Sequence, residues 1–154
     1  MSFEYEDKSV MFPVARRIEP MVKCPYLDEF FACTRSLGES NGKLSAEKVL
    51  YGLIDLSEKK EKNKDLVMQG VLEWRRHEKL DFENIKKELK EHILKVSATD
   101  EDDEYMKNIF QESWNNADKD NFLWYTFSHL LLCILDRPTP EIHKILERNR
   151  LQKE

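Results

Sequence analysis

The sequence is poor in the residues that interrupt regular structure. Glycine occurs 4 times and proline 5 times in 154 residues. A sandwich or barrel of short strands needs frequent turns, and such turns draw heavily on glycine and proline. The scarcity of both residues therefore favours long helices over an all-β fold.

Long apolar runs are also missing. The longest covers residues 130–135 and follows Ser128 and His129, whereas a membrane-spanning helix needs about 20 apolar residues. The N-terminal residues have neither the basic leader nor the apolar stretch of a secretory signal. We therefore expect an intracellular protein, cytoplasmic or nuclear, that does not act at a membrane.

Cysteine is sparse and odd in number, which favours free thiols in a reducing compartment. His129 and Cys133 are four residues apart and share a helical face. Cys24 and Cys33 lack the short spacing of a zinc-binding pair. We interpret these residues as inert thiols and a hydrogen-bonded histidine, and expect no metal and no cofactor. Their spacing leaves open whether the four converge.

The familiar catalytic and nucleotide-binding motifs are absent. The four glycines, at 38, 42, 52 and 70, cannot form a phosphate-binding loop of the GxGxxG or GxxxxGK[ST] type. The segment that begins at His77 and Glu78 resembles an HExxH zinc helix, but Asp81 replaces the second histidine. We therefore expect a protein that is not an enzyme. An unrecognised enzyme or small-ligand carrier would need a deep pocket that brings together His77, His92, His129 and acidic residues.

The overall composition indicates one globular domain that spans residues 1–154. Hydrophobic residues make up 40% of the chain and charged residues 36%, which is too apolar for disorder. A chain of this length can bury one core. Its net charge of −5 argues against a surface dedicated to phosphate neutralisation.

Start signals for helices recur along the chain. Four residues of the N-capping type each precede apolar residues at helical spacing: Ser45, Asp81, Thr99 and Thr139. Another helix is expected from about Pro25 to a stop at Gly38. The charged segment 57–65 predicts a solvated connection, and the polar segment 115–118 predicts the end of the helix that Thr99 begins.

The segment 121–136 differs from these amphipathic helices because its apolar residues surround the whole helical circumference. Such a helix has to be buried. We therefore predict an all-α bundle of six or seven helices around this central helix. Residues 1–13 read as an extended arm whose Phe3, Tyr5 and Phe12 dock on the bundle, on a partner or on a second copy.

These features favour a non-enzymatic protein-interaction module, such as an adaptor, scaffold or regulatory subunit, and leave open whether it also forms a homodimer. The candidate partner-binding residues are Phe3, Tyr5 and Phe12 of the arm and the consecutive Trp74, Arg75, Arg76 and His77. Tryptophan and arginine are enriched in interface hot spots. The alternative for Trp74 is inward packing beside solvated arginines.

The second functional hypothesis is association with nucleic acid or a ribonucleoprotein through a local basic patch. The basic residues available for it are Arg16, Arg17, Lys23, Arg75 and Arg76. This hypothesis requires these side chains to lie on one face and to be free to contact phosphates.

Overall fold

The computed structural model describes residues 19–38, 42–59 and 64–151, with the backbone alone at 64–66. These residues form seven helices and one two-stranded sheet. In chain order the elements are β1 (Val22–Lys23), α1 (Leu27–Arg35), α2 (Ala46–Glu58), α3 (Lys64–His77), α4 (Phe82–Lys95), α5 (Asp100–Lys119), β2 (Trp124–Tyr125), α6 (Phe127–Asp136) and α7 (Pro140–Arg148). The prediction of an all-α bundle is confirmed. The predicted arm at residues 1–13 lies outside the described residues.

All four predicted N-caps are confirmed. The hydroxyl of Ser45 accepts a hydrogen bond from the Lys48 N–H at 3.2 Å, and equivalent bonds join the side chains of Asp81, Thr99 and Thr139 to backbone N–H groups three residues later. At Thr99 the bond is reciprocal, because Asp102 accepts from the Thr99 N–H. Each bond satisfies a donor that the first helical turn leaves free, which explains why local sequence predicts these starts.

The predicted break at residues 115–118 is wrong, because α5 continues to Lys119. Asn115 and Asn116 are exposed, whereas Ala117 is 3% exposed and extends the buried face of the helix. Polar residues on the solvent side do not interrupt a helix whose inward side remains packed. The helix instead ends just before Asn121, whose backbone has the left-handed conformation with φ of 61°.

The predicted central helix is shorter than expected. It begins at Phe127, and the preceding Trp124 and Tyr125 pair in parallel with Val22 and Lys23. The helix packs on α5, α3 and α2, and α2 contacts every other helix that the structure describes. Two buried helices therefore share the centre of the bundle.

The hydrophobic core is one continuous cluster, to which all seven described helices contribute. One close approach between helices in it joins α3 to α6 at Gly70, whose N–H donates to the Ser128 hydroxyl at 2.8 Å. A Cβ at position 70 would lie 2.5 Å from the Ser128 side chain. Glycine therefore allows the two helices to approach closely enough for this bond.

Candidate partner-binding groove

The predicted surface at Trp74 is largely engaged within the fold. The Trp74 ring is partly buried and packs edge-on against Phe82, with ring centroids 4.9 Å apart. The Arg75 guanidinium lies 5.1 Å from the Phe82 ring, donates to the Ser57 hydroxyl at 2.9 Å and pairs with Glu58 at 3.3 Å. These contacts use the aromatic face and the directed donors that a partner would need.

Arg76 and His77 occupy the solvent side of the same helical turn. Their side chains are 65% and 70% exposed, and both contact Glu73, at 2.7 Å and 2.8 Å. The four consecutive residues therefore divide into an inner pair and an outer polar pair. The other predicted contact residues, Phe3, Tyr5 and Phe12, lie outside the described residues.

Three of the five basic residues predicted to form a patch lie among the described residues. Arg16 and Arg17 lie outside the described residues, and Lys23 pairs with Asp28 at 3.0 Å. Arg75 and Arg76 are each paired with a carboxylate. Their positive charge is partly neutralised where a phosphate would have to bind.

The cysteines and His129 are dispersed across the fold. Cys24 follows β1 and is buried, Cys33 is exposed on α1, and Cys133 is buried on α6 beside His129. Burial raises the pKa of the Cys24 thiol to about 11 and also raises that of Cys133. Across the described ranges, no group of three or more His, Cys, Asp or Glu side chains is arranged to hold a metal ion.

The remaining histidines are also separated. His92 lies on α4, with Nδ1 3.6 Å from Glu141 of α7, whereas His77 is at the exposed end of α3 and His129 is on α6. The three histidines proposed for a shared pocket therefore lie on three different helices, in different surroundings.

A groove of about 490 Å³ runs between α5 and α6. Glu112 lines it from α5, Asp120 lines it from the C-cap of that helix, and His129, Leu132 and Asp136 line it from α6. The two helices pack along their lengths and run in opposite directions, so Glu112 and Asp136 are at one end and Asp120 is at the other. The other residues that line the groove are small, apolar or uncharged polar: Ser113, Asn116, Ala117, Phe122 and Cys133.

Leu132 projects into this groove and is 65% exposed, whereas its neighbours Leu130 and Leu131 are 0% and 1% exposed. Consecutive residues on an α-helix are separated by 100°, so three leucines in sequence cannot all face one side. The helices α5, α3 and α2 cover the other sides of α6. The expectation that this helix is buried around its whole circumference is therefore wrong at Leu132.

His129 occupies the inner side of the groove and is held by its own helix. Its Nδ1 accepts a hydrogen bond from the Thr126 N–H at 3.0 Å, which places the ring proton of the neutral form on Nε2. Phe122 and Tyr125 flank the ring, with centroids 4.6 Å and 5.5 Å away. Nε2 is buried and finds no hydrogen-bond partner among the described residues. Burial lowers the His129 pKa to about 4, although nearby Asp120 opposes this shift. The ring is therefore neutral at physiological pH.

The rim of the groove is acidic. Glu112 pairs with Arg137, whereas Asp120 and Asp136 have no ion-pair partner among the residues that the structure describes. Both aspartates are exposed. The groove thus combines a mostly apolar strip, a carboxylate at each end and a neutral imidazole that packs against two aromatic rings.

Two other cavities border α1. One of about 160 Å³ lies between α1 and α2 and is lined by Phe30, Tyr51 and Leu56. The other, of about 470 Å³, lies between α1 and α5, where the acidic Asp28 and Asp103 alternate with basic residues. The large hydrophobic side chains that are at least half exposed do not line either cavity. The α5–α6 groove, with Leu132 inside it, is therefore the stronger candidate site.

A groove between helices is a general expectation for a bundle, and the sequence also contains a signal for the position of this one. Three consecutive leucines in one helix require at least one to face away from the core, and Asp136 follows Leu132 by four residues on the same face.

No described helix has the length and apolar character that spanning a membrane requires. Comparison of the chain with protein-family models, curated proteins and solved structures gives no significant match.

Proposed function

We propose that this chain acts without catalysis as a protein-binding module, in the manner of an adaptor, scaffold or regulatory subunit, and that the α5–α6 groove receives its partner. The observation that carries this proposal is Leu132, which is 65% exposed within a groove between two helices. Exposed apolar side chains in a concave, polar-rimmed site are typical of surfaces that bind other proteins.

The chemistry of the groove supports binding over catalysis. Burial raises the pKa of Cys133, so its thiol stays protonated and is a poor nucleophile at neutral pH. The low pKa of His129 makes the imidazole a weak base, and Nε2 is buried between aromatic rings. Neither group is therefore both accessible and activated, as a cysteine nucleophile or a histidine general base has to be.

The cysteines support an intracellular location, in the cytoplasm or nucleus. All three thiols are free, and Cys33 is exposed. An exposed free thiol suits a reducing compartment better than an oxidising one.

Affinity capture tests the proposed function. The 154-residue chain, a Leu132→Asp variant and a Leu94→Asp variant would be immobilised and exposed to extract from the source cell. Leu94 is 58% exposed on α4 and lies outside the groove, so it is a matched control. We expect proteins that the unmodified chain and Leu94→Asp retain to be lost from Leu132→Asp, as measured by quantitative mass spectrometry.

An identical set of retained proteins on all three chains would contradict the proposal for the groove. An Arg76→Ala, His77→Ala double variant in the same experiment tests the exposed part of the Trp74 turn. Sedimentation of the unmodified chain and of Leu132→Asp tests self-association, because a dimer formed through the groove would dissociate in the variant.

A further inference from the structure

The two ends of the groove restrict the kind of partner that fits it. Asp120 at one end and Asp136 at the other are exposed and have no ion-pair partner among the described residues. Glu112 adds a third carboxylate, which Arg137 neutralises in part. The strip between these ends is mostly apolar and contains Leu132, with the polar side chains of Ser113 and Asn116 on the α5 side. The two groove-lining charges that have no ion-pair partner among the described residues are therefore both negative.

The residues that line the groove on α6 span about two helical turns. His129 and Asp136 are seven residues apart on α6, which corresponds to about 10 Å, or two helical turns. A helix laid along the groove would place apolar side chains at i, i+3 or i+4, and i+7 over this distance. Basic residues next to those positions would meet Asp120 and Asp136.

We propose that the partner segment is a basic amphipathic helix that seats its apolar face on Leu132 between Asp120 and Asp136. This inference rests on the proposed function and names the partner of the same site. Opposite charge at both ends favours association and fixes the orientation of the helix, whereas an acidic helix of equal apolar content is repelled.

The same charges argue against a second copy of the chain in the groove. A twofold dimer that buried Leu132 against Leu132 would bring the acidic rims of the two grooves together. Like charges across an interface oppose association. The groove is thus better suited to a basic partner than to itself.

Three synthetic peptides of about 14 residues, or four helical turns, test this inference. The first has leucines at i, i+4 and i+7 with flanking lysines, the second has glutamates in place of the lysines, and the third keeps the lysines but replaces the leucines with serine. Fluorescence anisotropy at low salt measures their binding to the 154-residue chain. We expect the leucine–lysine peptide to bind at least about tenfold more tightly than either of the others.

Variants of the chain locate the binding and assign it to charge. Leu132→Asp should reduce binding of the leucine–lysine peptide by about tenfold or more, and Leu94→Asp should leave it unchanged. The double variant Asp120→Asn, Asp136→Asn should weaken it by roughly threefold per carboxylate. The control Glu91→Gln, Glu104→Gln removes two exposed carboxylates outside the groove and should have no such effect. Circular dichroism verifies that each variant is folded.

The outcomes separate the inference from the proposed function. If the lysine and glutamate peptides bind equally and Leu132→Asp abolishes the binding of both, the groove binds protein segments. The inference that its partner is basic would then be wrong. If no peptide binds and Leu132→Asp dissociates a dimer, the occupant of the groove is a second copy of the chain. That result would also contradict the inference of a basic partner helix. If Leu132→Asp changes neither the affinity for the peptides, nor dimer formation, nor the set of captured extract proteins, both proposals fail.

Discussion

The last turn of α3 and the outer face of α6 differ in how their side chains are used. At the α3 turn, Trp74 packs on Phe82, and Arg75 reaches Ser57 and Glu58. On α6, Leu132 is 65% exposed and lies in a groove with Asp120 and Asp136, which have no ion-pair partner among the residues that the structure describes. The first region has the residue types of an interface, but those side chains already make contacts within the fold.

This difference shows why residue type alone is a weak guide to a binding surface. Tryptophan and arginine are frequent in interfaces because they offer large contact areas and directed donors. The same properties stabilise a fold when the contacts are made internally. Substitutions at the two regions should therefore affect stability and binding in opposite ways.

The largest contrast is expected between neighbouring leucines of α6. Leu131→Ala removes a side chain that is 1% exposed and should lower the free energy of unfolding by about 3 to 4 kcal/mol. Leu132→Ala should change it by less than about 0.5 kcal/mol, because that side chain is mostly in solvent. Urea denaturation of both variants measures the contrast. A similar loss in the two would show that Leu132 is buried in solution.

Trp74→Ala should lower the free energy of unfolding by about 3 kcal/mol, through loss of the packing on Phe82. The outer pair of the same turn provides the control, since His77→Ala should have an effect below about 0.5 kcal/mol. If Trp74→Ala left stability unchanged but abolished partner capture, the α3 turn would be the binding surface and the comparison would be reversed.

The features that sequence predicts correctly are local. A cap such as Ser45 bonds within one helical turn, so its neighbours in sequence suffice to identify it. The extent of α5 depends on the burial of Ala117, and the late start of α6 depends on pairing between Trp124 and the distant Val22. Neither contact is encoded in the adjacent residues.

The candidate groove was harder to predict than the fold. The pattern of α6 shows that the helix is apolar on all sides, but it cannot show which side the neighbouring helices leave open. That side is determined by the packing of α5, α3 and α2, and it exposes Leu132. The sequence predicts a binding surface at the Trp74 turn because the residue types are visible in it, whereas the contacts of Arg75 with Ser57 and Phe82 are not.

The inner side of the groove should also be sensitive to pH. Folding lowers the pKa of His129 from 6.5 to about 4, so the unfolded chain binds a proton at a higher pH than the folded chain does. The contribution of this residue to stability is therefore constant well above pH 6.5 and falls by about 3 kcal/mol as the pH reaches 4.

A His129→Asn variant isolates this contribution, because asparagine keeps an acceptor for the Thr126 N–H but does not titrate. Urea denaturation across this pH range should show a steeper loss in the unmodified chain than in the variant. His143→Asn is the control, since His143 is exposed on α7. Parallel pH profiles for the unmodified chain and His129→Asn would contradict the buried, neutral imidazole.

The smallest effect separates two adjacent arginines. Arg75→Ala should lower the free energy of unfolding by about 1 kcal/mol, because it removes the bond to Ser57, the ion pair with Glu58 and the contact with the Phe82 ring. Arg76→Ala removes one exposed ion pair with Glu73 and should cost less than about 0.5 kcal/mol. Equal losses at both positions, measured by urea denaturation, would mean that Arg75 is as solvated as Arg76. Its donors would then be free for a partner, and the α3 turn would regain the role that its composition first indicated.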